Sequence, residues 1–416
     1  MDPCYNWVPA AVSNQPLKGS FSVSGVSHIH TDSSPEEAVS KPLPYRRIVV
    51  KAGTSVLTAG PDHQALDVAV MASLARQISQ LRSLSAEVML VTSGAIAAGQ
   101  EGRGVGRVAS DIPSRQVRAA IGQSRLMHTY QELFEVHGLQ VAQVLLTIKD
   151  LNDRQSYLNV RNTLQGLLNL GVVPILNEND VVAVDEIGEV FGDNDRLSAL
   201  VANLVDADLL VILTDTDGLY TADPNLDPDA RLLPVVERVD ADIEALAGKD
   251  RNPWARGGMA TKIDAARLVT TSGITMVMCH GMTEDSVLRA ARGDEIGTMF
   301  RPAAEKLEAR KRWMLGAVSH RSAVVVDQGA AAALRQNNRS LLPAGITGVT
   351  GDFERGDIVY IVYIVAAGDR RIACGIANYG SADIKRIRGV RSGDIQDTLG
   401  YHYGPEVIHR DNLVLI

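Results

Sequence analysis

From Arg46 onward the chain alternates between two apolar patterns. Short continuous apolar runs read as buried strands, and longer stretches with apolar residues three and four apart read as helices. Arg47 to Val50 is the first short run, and it ends in Lys51-Ala52-Gly53-Thr54-Ser55. A helix is predicted from about Gln64 to Leu84, with Leu66, Val70, Leu74, Ile78 and Leu81 at helical spacing. Glu87 to Val91 is β-prone and runs into Thr92-Ser93-Gly94-Ala95. Next come a predicted helix from Ser114 to Val136, a strand from Val141 to Leu146, and a helix from Asp153 to Leu170. Gly171 suits the left-handed C-cap of that last helix. Val172 to Leu176 is predicted as a strand entering Asn177-Glu178-Asn179-Asp180, and Asp193 to Leu204 as a helix. Leu209 to Leu213 is predicted as a strand entering Thr214-Asp215. A helix from Thr261 to Ser272, closed by Gly273, precedes a predicted strand from Ile274 to Met278.

Strands alternating with helices imply a largely parallel sheet covered on both faces, so the expected class is α/β, an open αβα sandwich. In such sheets ligands sit outside the carboxyl ends of the strands. Four predicted strands end directly in the runs KAGTS, TSGA, NEND and TD, which places all four in one crevice. The pattern changes near residue 305. Short strands are predicted at Ala323 to Val326, Gly345 to Val349, Ile358 to Val365 and Arg371 to Ala377, punctuated by Pro343, Gly345, Gly348, Gly351 and Gly356. This predicts a small, mainly β domain. The expected organisation is a disordered extension over 1–44, rich in Ser, Pro and Val, an α/β domain over 45–305, a charged linker over 306–319 and the β domain over 320–416.

Composition narrows the function. A net charge of −8 argues against a generic nucleic-acid binder, so an anionic substrate has to be held by locally placed lysines and amides. Cys4, Cys279 and Cys374 are odd in number and far apart, which implies free thiols in a reducing compartment rather than zinc or a disulfide framework. No apolar run reaches the ~18 residues that span a bilayer. Residues 1–44 lack the basic start and apolar stretch of a signal peptide and are poor in arginine, so a cytoplasmic location is expected. His280, His402 and His409 show no ligand spacing and are expected to be structural or surface residues.

The chemistry-bearing motifs are of another kind than the common nucleotide-binding ones. There is no GxxxxGK[ST] and no protein-kinase signature set. Lys51 follows a buried strand at once, which projects a point charge suited to phosphate into the crevice. Gly53 lets backbone amides approach phosphoryl oxygens. The plainer alternative is a solvated lysine beside an ordinary βα turn. Ser93-Gly94-Ala95 opens a helix, where an anion is favoured, although a plain N-cap gives the same pattern. Gly257-Gly258-Met259-Ala260-Thr261-Lys262 is more specific. Two glycines open a helix with Lys262 in its first turn, where a cation is unfavourable unless a polyphosphate sits there. Asp193-Asn194-Asp195 reads either as routine helix capping or as a carboxylate that orients lysines or helps hold a metal. Asn177, Asn179 and Asp180 can bind a substrate ammonium and carboxylate together. Phosphoryl transfer depends on positioning and charge neutralisation, which two lysines, Gly-rich amides and Mg²⁺ supply. A carboxylate acceptor is ionised at neutral pH, with an ordinary pKa of roughly 4.3, so it needs no general base.

These motifs in this order resemble the amino acid kinase family, and closely its glutamate-phosphorylating branch. The matching stretches are VVKAGTSVLT, VTSGAIAAGQ, GQSRLMHTYQELF, NENDVVAVDEI, FGDNDRLSAL, LLVILTDTDGLYTADP and GGMATKIDAARL. The tail stretches RSLLPAGITGVTGDFERGD and LGYHYGPEVIHRD resemble a PUA domain. The resemblance spans about residues 46 to 413. It implies an ATP- and Mg²⁺-using phosphotransferase with a carboxyl acceptor, glutamate, whose product is the first intermediate of proline synthesis. It further implies inhibition by proline and a homo-oligomer, dimer or tetramer. By the same resemblance Lys51 and Lys262 stabilise the transferring phosphoryl group. Asp195 orients them and is the candidate contact to the metal, while Ser93, Asp180 and Asn194 bind glutamate. Thr214, Asp215, Arg256, Gly257, Gly258, Met259, Ala260, Thr261 and Lys262, with Lys51, hold ATP. Arg256 departs from the small polar residue expected before the paired glycines. Two rival readings stay open. One keeps the fold and changes the acceptor to N-acetylglutamate, aspartate or a nucleoside monophosphate. The other is RNA binding by the PUA-like tail through Lys385-Arg386-Ile387-Arg388 and Arg391, against a plain solvated face.

Overall fold

The computed structural model describes residues 42–59, 65–100, 112–183, 194–224, 226–246, 258–303, 322–337, 339–365 and 368–416. The extension expected over 1–44 lies outside them as far as residue 41, and the linker expected over 306–319 lies outside them entirely.

The apolar runs form one eight-stranded sheet. Its strands are β1 (Arg47–Ala52), β2 (Glu87–Thr92), β3 (Val141–Leu146), β4 (Val173–Glu178), β5 (Leu209–Thr214), β6 (Val235–Val236), β7 (Thr275–His280) and β8 (Thr298–Phe300). Their spatial order is β3-β4-β2-β1-β5-β7-β8-β6. Pairing is parallel except at β7–β8. β1 is central and reads as a continuous apolar run because both of its faces are covered. Ile48 and Val50 belong to one core, with helices α1 (Val68–Ser83), α2 (Ala95–Gln100) and α3 (Ile112–Glu135). Val49 belongs to the other, with α4 (Arg154–Asn169), α5 (Asn194–Leu204) and α6 (Met259–Thr271). The three-layer sandwich therefore follows from the alternation of side chains along each strand.

Several element ends differ from the sequence expectation. α1 starts at Val68 rather than Gln64, because the Asp67 side chain accepts from the amides of Ala69 and Val70 and fixes the first turn there. β4 runs on to Glu178, two residues into the polar run. α6 starts at Met259, so Gly258 is its N-cap. β6 and β8 are two and three residues long and carry too little pattern to announce themselves.

The C-terminal part is a second sheet of five strands: β9 (Ala323–Val326), β10 (Ile346–Thr350), β11 (Ile358–Val365), β12 (Gly368–Ile376) and β13 (Leu413–Leu415). It also carries helices at Gln328–Asn337, Ser381–Ile387 and Ile395–Leu399, which the strand-and-turn pattern did not predict. Tyr157 and Leu158 of α4 pack on Ile358, Tyr360, Val362, Cys374, Ile376 and Val414. Beside this apolar contact, Arg161 pairs with Asp206 at 2.7 Å and donates to the carbonyls of Leu204 and of Asp411, the latter at 2.9 Å. One guanidinium thus ties α4 to the end of α5 and to the C-terminal strand region.

Removing the guanidinium takes away the ion pair with Asp206 and two carbonyl bonds at once, at a cost of about 3 kcal/mol. Arg161→Ala is therefore expected to lower the thermal unfolding midpoint by several degrees, followed by circular dichroism. An unchanged midpoint would show that the contact does not stabilise the protein.

Candidate active site

The carboxyl ends of β1, β2, β4 and β5 lie along one edge of the sheet, and a cavity of about 420 Å³ opens there. Among the residues expected in the site, Lys51, Gly53, Ser93, Gly94, Asn177, Asp180, Asn194, Asp215 and Lys262 line it. Lys51 comes from β1, in register with Val91 and Ile212 on the neighbouring strands. Close helix packing sets the turn at Ser93: Gly94 sits at φ +101°, a left-handed backbone that favours glycine. A Cβ on Gly122 of α3 would fall 1.8 Å from the carbonyl oxygen of Ala95, so only glycine admits this approach of α3 to α2.

Asp195, in the first turn of α5, is fully buried. Its Oδ1 lies 2.6 Å from Lys51 Nζ and its Oδ2 lies 3.1 Å from Lys262 Nζ. Thr261 Oγ1 adds a contact of 3.0 Å to Oδ2. Burial alone would push this carboxyl upward; the two ammonium groups outweigh it and hold the group at about 2. Taken with its helix alone, a cation at the start of α6 points to a bound polyphosphate. The structure supplies the Asp195 carboxylate expected to orient both lysines, which offsets one of their two positive charges.

Asn194, beside it, donates from Nδ2 to the carbonyl of Thr92 at 2.7 Å, to Ser93 Oγ at 2.8 Å and to Asn177 Oδ1 at 3.1 Å. Asn177 in turn donates to Gln123 of α3 at 2.8 Å. This chain joins β2, β4, α3 and α5. Asp180 is pushed up by burial, with Arg115 opposing the shift. Thr214 is buried and donates to Asp215 at 3.0 Å. Met259, Ala260 and Thr261 form the first turn of α6 behind its Gly258 cap. Arg256 and Gly257 lie outside the described residues, as does Asp193.

The cavity also recruits Gln100 and Arg115, which lie outside the four strand-end runs, and Glu178 of the NEND run. Gln123 and Asn177 act as supports; their signal was present in the GQSR and NEND runs. Arg115 carried no local signal, being one charge on an amphipathic helix. The three histidines do structural work: the Nδ1 atoms of His280, His402 and His409 each accept a backbone amide two residues on. Cys279 and Cys374 are buried thiols outside any disulfide, and burial pushes the Cys279 thiol up to about 12.

Known sequences match this arrangement along most of the chain. The sequence model of the Amino acid kinase family matches residues 46–280, and that of the PUA domain matches residues 322–399. The glutamate 5-kinase of Dehalococcoides mccartyi is 50% identical over 373 residues, covering 89% of this chain and 99% of that protein. The glutamate 5-kinase of Herpetosiphon aurantiacus is 50% identical over 370 residues, covering 89% and 98%. That of Deinococcus radiodurans is 48% identical over 370 residues, covering 89% and 100%. This chain belongs to the amino acid kinase family, with a PUA domain in its C-terminal part.

Proposed function

We propose that the chain transfers the γ-phosphoryl group of ATP to the side-chain carboxylate of glutamate, giving L-glutamyl 5-phosphate for proline synthesis. The observation that carries the reading is the Lys51–Asp195–Lys262 cluster at a cavity built from four strand ends, in a chain about half identical to proteins named glutamate 5-kinase. A kinase of this family uses ATP as donor. The acceptor's carboxylate oxygen attacks the γ-phosphorus, the bond to the β–γ bridging oxygen breaks, and ADP leaves with that electron pair. No proton moves, because the acceptor is already ionised.

Each group has a part in this step. Lys51 and Lys262 present ammonium charge to the equatorial oxygens of the passing phosphoryl group. Asp195 fixes both ammoniums and contributes one negative charge against two positive, so the cluster keeps a net charge of +1. Gly258 has no side chain with which to satisfy the first amides of α6, which leaves them to nucleotide phosphates. Thr214 and Asp215 stand at the end of β5 on the nucleotide side. Ser93, Asn194 and Asp180 hold glutamate; Asn194 Oδ1 is buried without a partner and suits the substrate's ammonium. Magnesium fits as a companion of the nucleotide: it would be held by phosphate oxygens with Asp215, since both oxygens of Asp195 are taken by lysines. When bound, it neutralises phosphate charge.

The deciding assay offers glutamate, N-acetylglutamate and aspartate with Mg-ATP and traps acyl phosphate with hydroxylamine. Glutamate is expected to give hydroxamate and the other two far less; no hydroxamate from glutamate sinks the proposal. Lys262→Ala is expected to lower kcat on the order of 100- to 1000-fold with the fold retained, by analogy with loss of one transition-state donor. Near-normal turnover would remove Lys262 from the step. Asp195 titrates below its ordinary 3.8, so its contribution to stability is complete above about 4 and is lost as pH falls towards 2. Thermal midpoints measured between those pH values should fall more steeply for the wild type than for Asp195→Asn, and parallel curves would contradict this assignment.

A further inference from the structure

The reaction above uses two of the cavity's cations and leaves one over. Among the described residues that line the cavity, the cationic side chains are Lys51, Lys262 and Arg115. The lysines share Asp195. Arg115 is placed differently. It lies in the first turn of α3, where the helix dipole disfavours a cation. That turn is fastened to the segment after Asp180: Gln116 Nε2 donates to the carbonyls of Val181 and Ala183 at 3.4 Å each. Arg115 also lies near enough to Asp180 to offset part of the rise that burial imposes on its carboxyl. The cavity lining therefore carries, besides the lysine pair on Asp195, both Arg115 and Asp180, with Glu178 and Asp215 as its other acidic residues.

The substrate has a matching layout. Its reacting carboxylate has to meet the lysines and the phosphoryl group. Its other end carries one ammonium and one carboxylate on the same carbon. Such a head needs an anion and a cation side by side, and Asp180 with Arg115 is that pair. A guanidinium receives a carboxylate through two parallel N–H donors, which an ammonium cannot do. Resting on the reaction proposed above, we infer that Arg115 is a specificity-determining residue that binds the α-carboxylate of the substrate, with Asp180 opposite its ammonium. The site then selects a free α-amino acid over acceptors that keep the reacting carboxylate and lack either group of the head.

The test crosses two variants with three compounds. Glutamate has both head groups, glutarate lacks the ammonium, and 4-aminobutanoate lacks the α-carboxylate. Arg115→Gln is expected to raise KM for glutamate on the order of 10- to 100-fold, the range for loss of a charged hydrogen-bonding partner, with kcat at saturation largely kept. Glutarate, measured as a competitor of glutamate, should weaken by a similar factor, and 4-aminobutanoate should not weaken. Asp180→Asn should show the mirror pattern, leaving glutarate unweakened while glutamate suffers. Arg115→Lys should restore part of the lost affinity. A uniform loss on all three compounds in Arg115→Gln, or an unchanged KM for glutamate, overturns the assignment. Failure of the reaction itself is seen separately, as a wild-type enzyme that makes no acyl phosphate from glutamate.

Discussion

A single carboxylate organises this site. Asp195 is shut off from solvent and holds two lysines that arrive from opposite directions in the chain, Lys51 from β1 and Lys262 from α6. Burying any one of these charges alone costs several kcal/mol, and the pairing is what makes the burial tolerable. The start of α5 adds to it, because a carboxylate in a first helical turn meets the positive end of the dipole. The cluster is not neutral: two ammonium groups face one carboxylate. That surplus positive charge lies at a cavity in a chain whose overall charge is −8. The long-range field therefore disfavours anions, and attraction has to act locally, within the ~8 Å over which physiological salt leaves charges visible. An anion entering the cavity offsets the surplus, so the cost of holding the empty site and the affinity for phosphate have one origin.

The frame for this cluster is the parallel sheet. Parallel register brings the ends of β1, β2 and β5 level, and the residues just past those ends become neighbours though they are far apart in sequence. Asn194 shows how tightly this is used. Its one amide nitrogen reaches the end of β2, the side chain of Ser93 and the end of β4. A shift of α5 along its axis would break these bonds and the Asp195 pairs together. Chemistry and packing thus constrain the same helix.

Much of this was legible in the sequence, and the failures have physical causes. Continuous apolar runs ending in KAGTS, TSGA, NEND and TD marked the strand ends to within two residues, because a strand covered on both faces leaves no ambiguity of period. Asp195 was ambiguous, since an acid in a first helical turn is ordinary capping, and nothing local distinguishes that from an ion pair to Lys51 across the sheet. Lys262 stands out by its place in a first helical turn, while Asp195 as its partner follows only from the family resemblance, because no local pattern links the two residues. Arg115 could not be found: α3 has amphipathic spacing, and its exposed and cavity-facing charges look alike along the sequence. In the C-terminal part, frequent glycines and prolines drew attention to turns and hid the helix Gln328–Asn337 despite its run of alanines.

The link between the two sheets follows from the same helix. α5 carries Asn194 and Asp195 at its start, and its far end is gripped by Arg161 through the carbonyl of Leu204 and the carboxylate of Asp206. The third partner of Arg161 is the carbonyl of Asp411, next to β13. A helix is a stiff rod, with backbone bonds between successive turns, so a force at one end is felt at the other. The apolar seam of Tyr157 and Leu158 against Tyr360 and Val414 lies on the same helix as Arg161 and adds to the contact. Arg161 therefore connects the far end of the helix that carries Asp195 to the C-terminal sheet, although none of the described residues of that sheet lines the cavity.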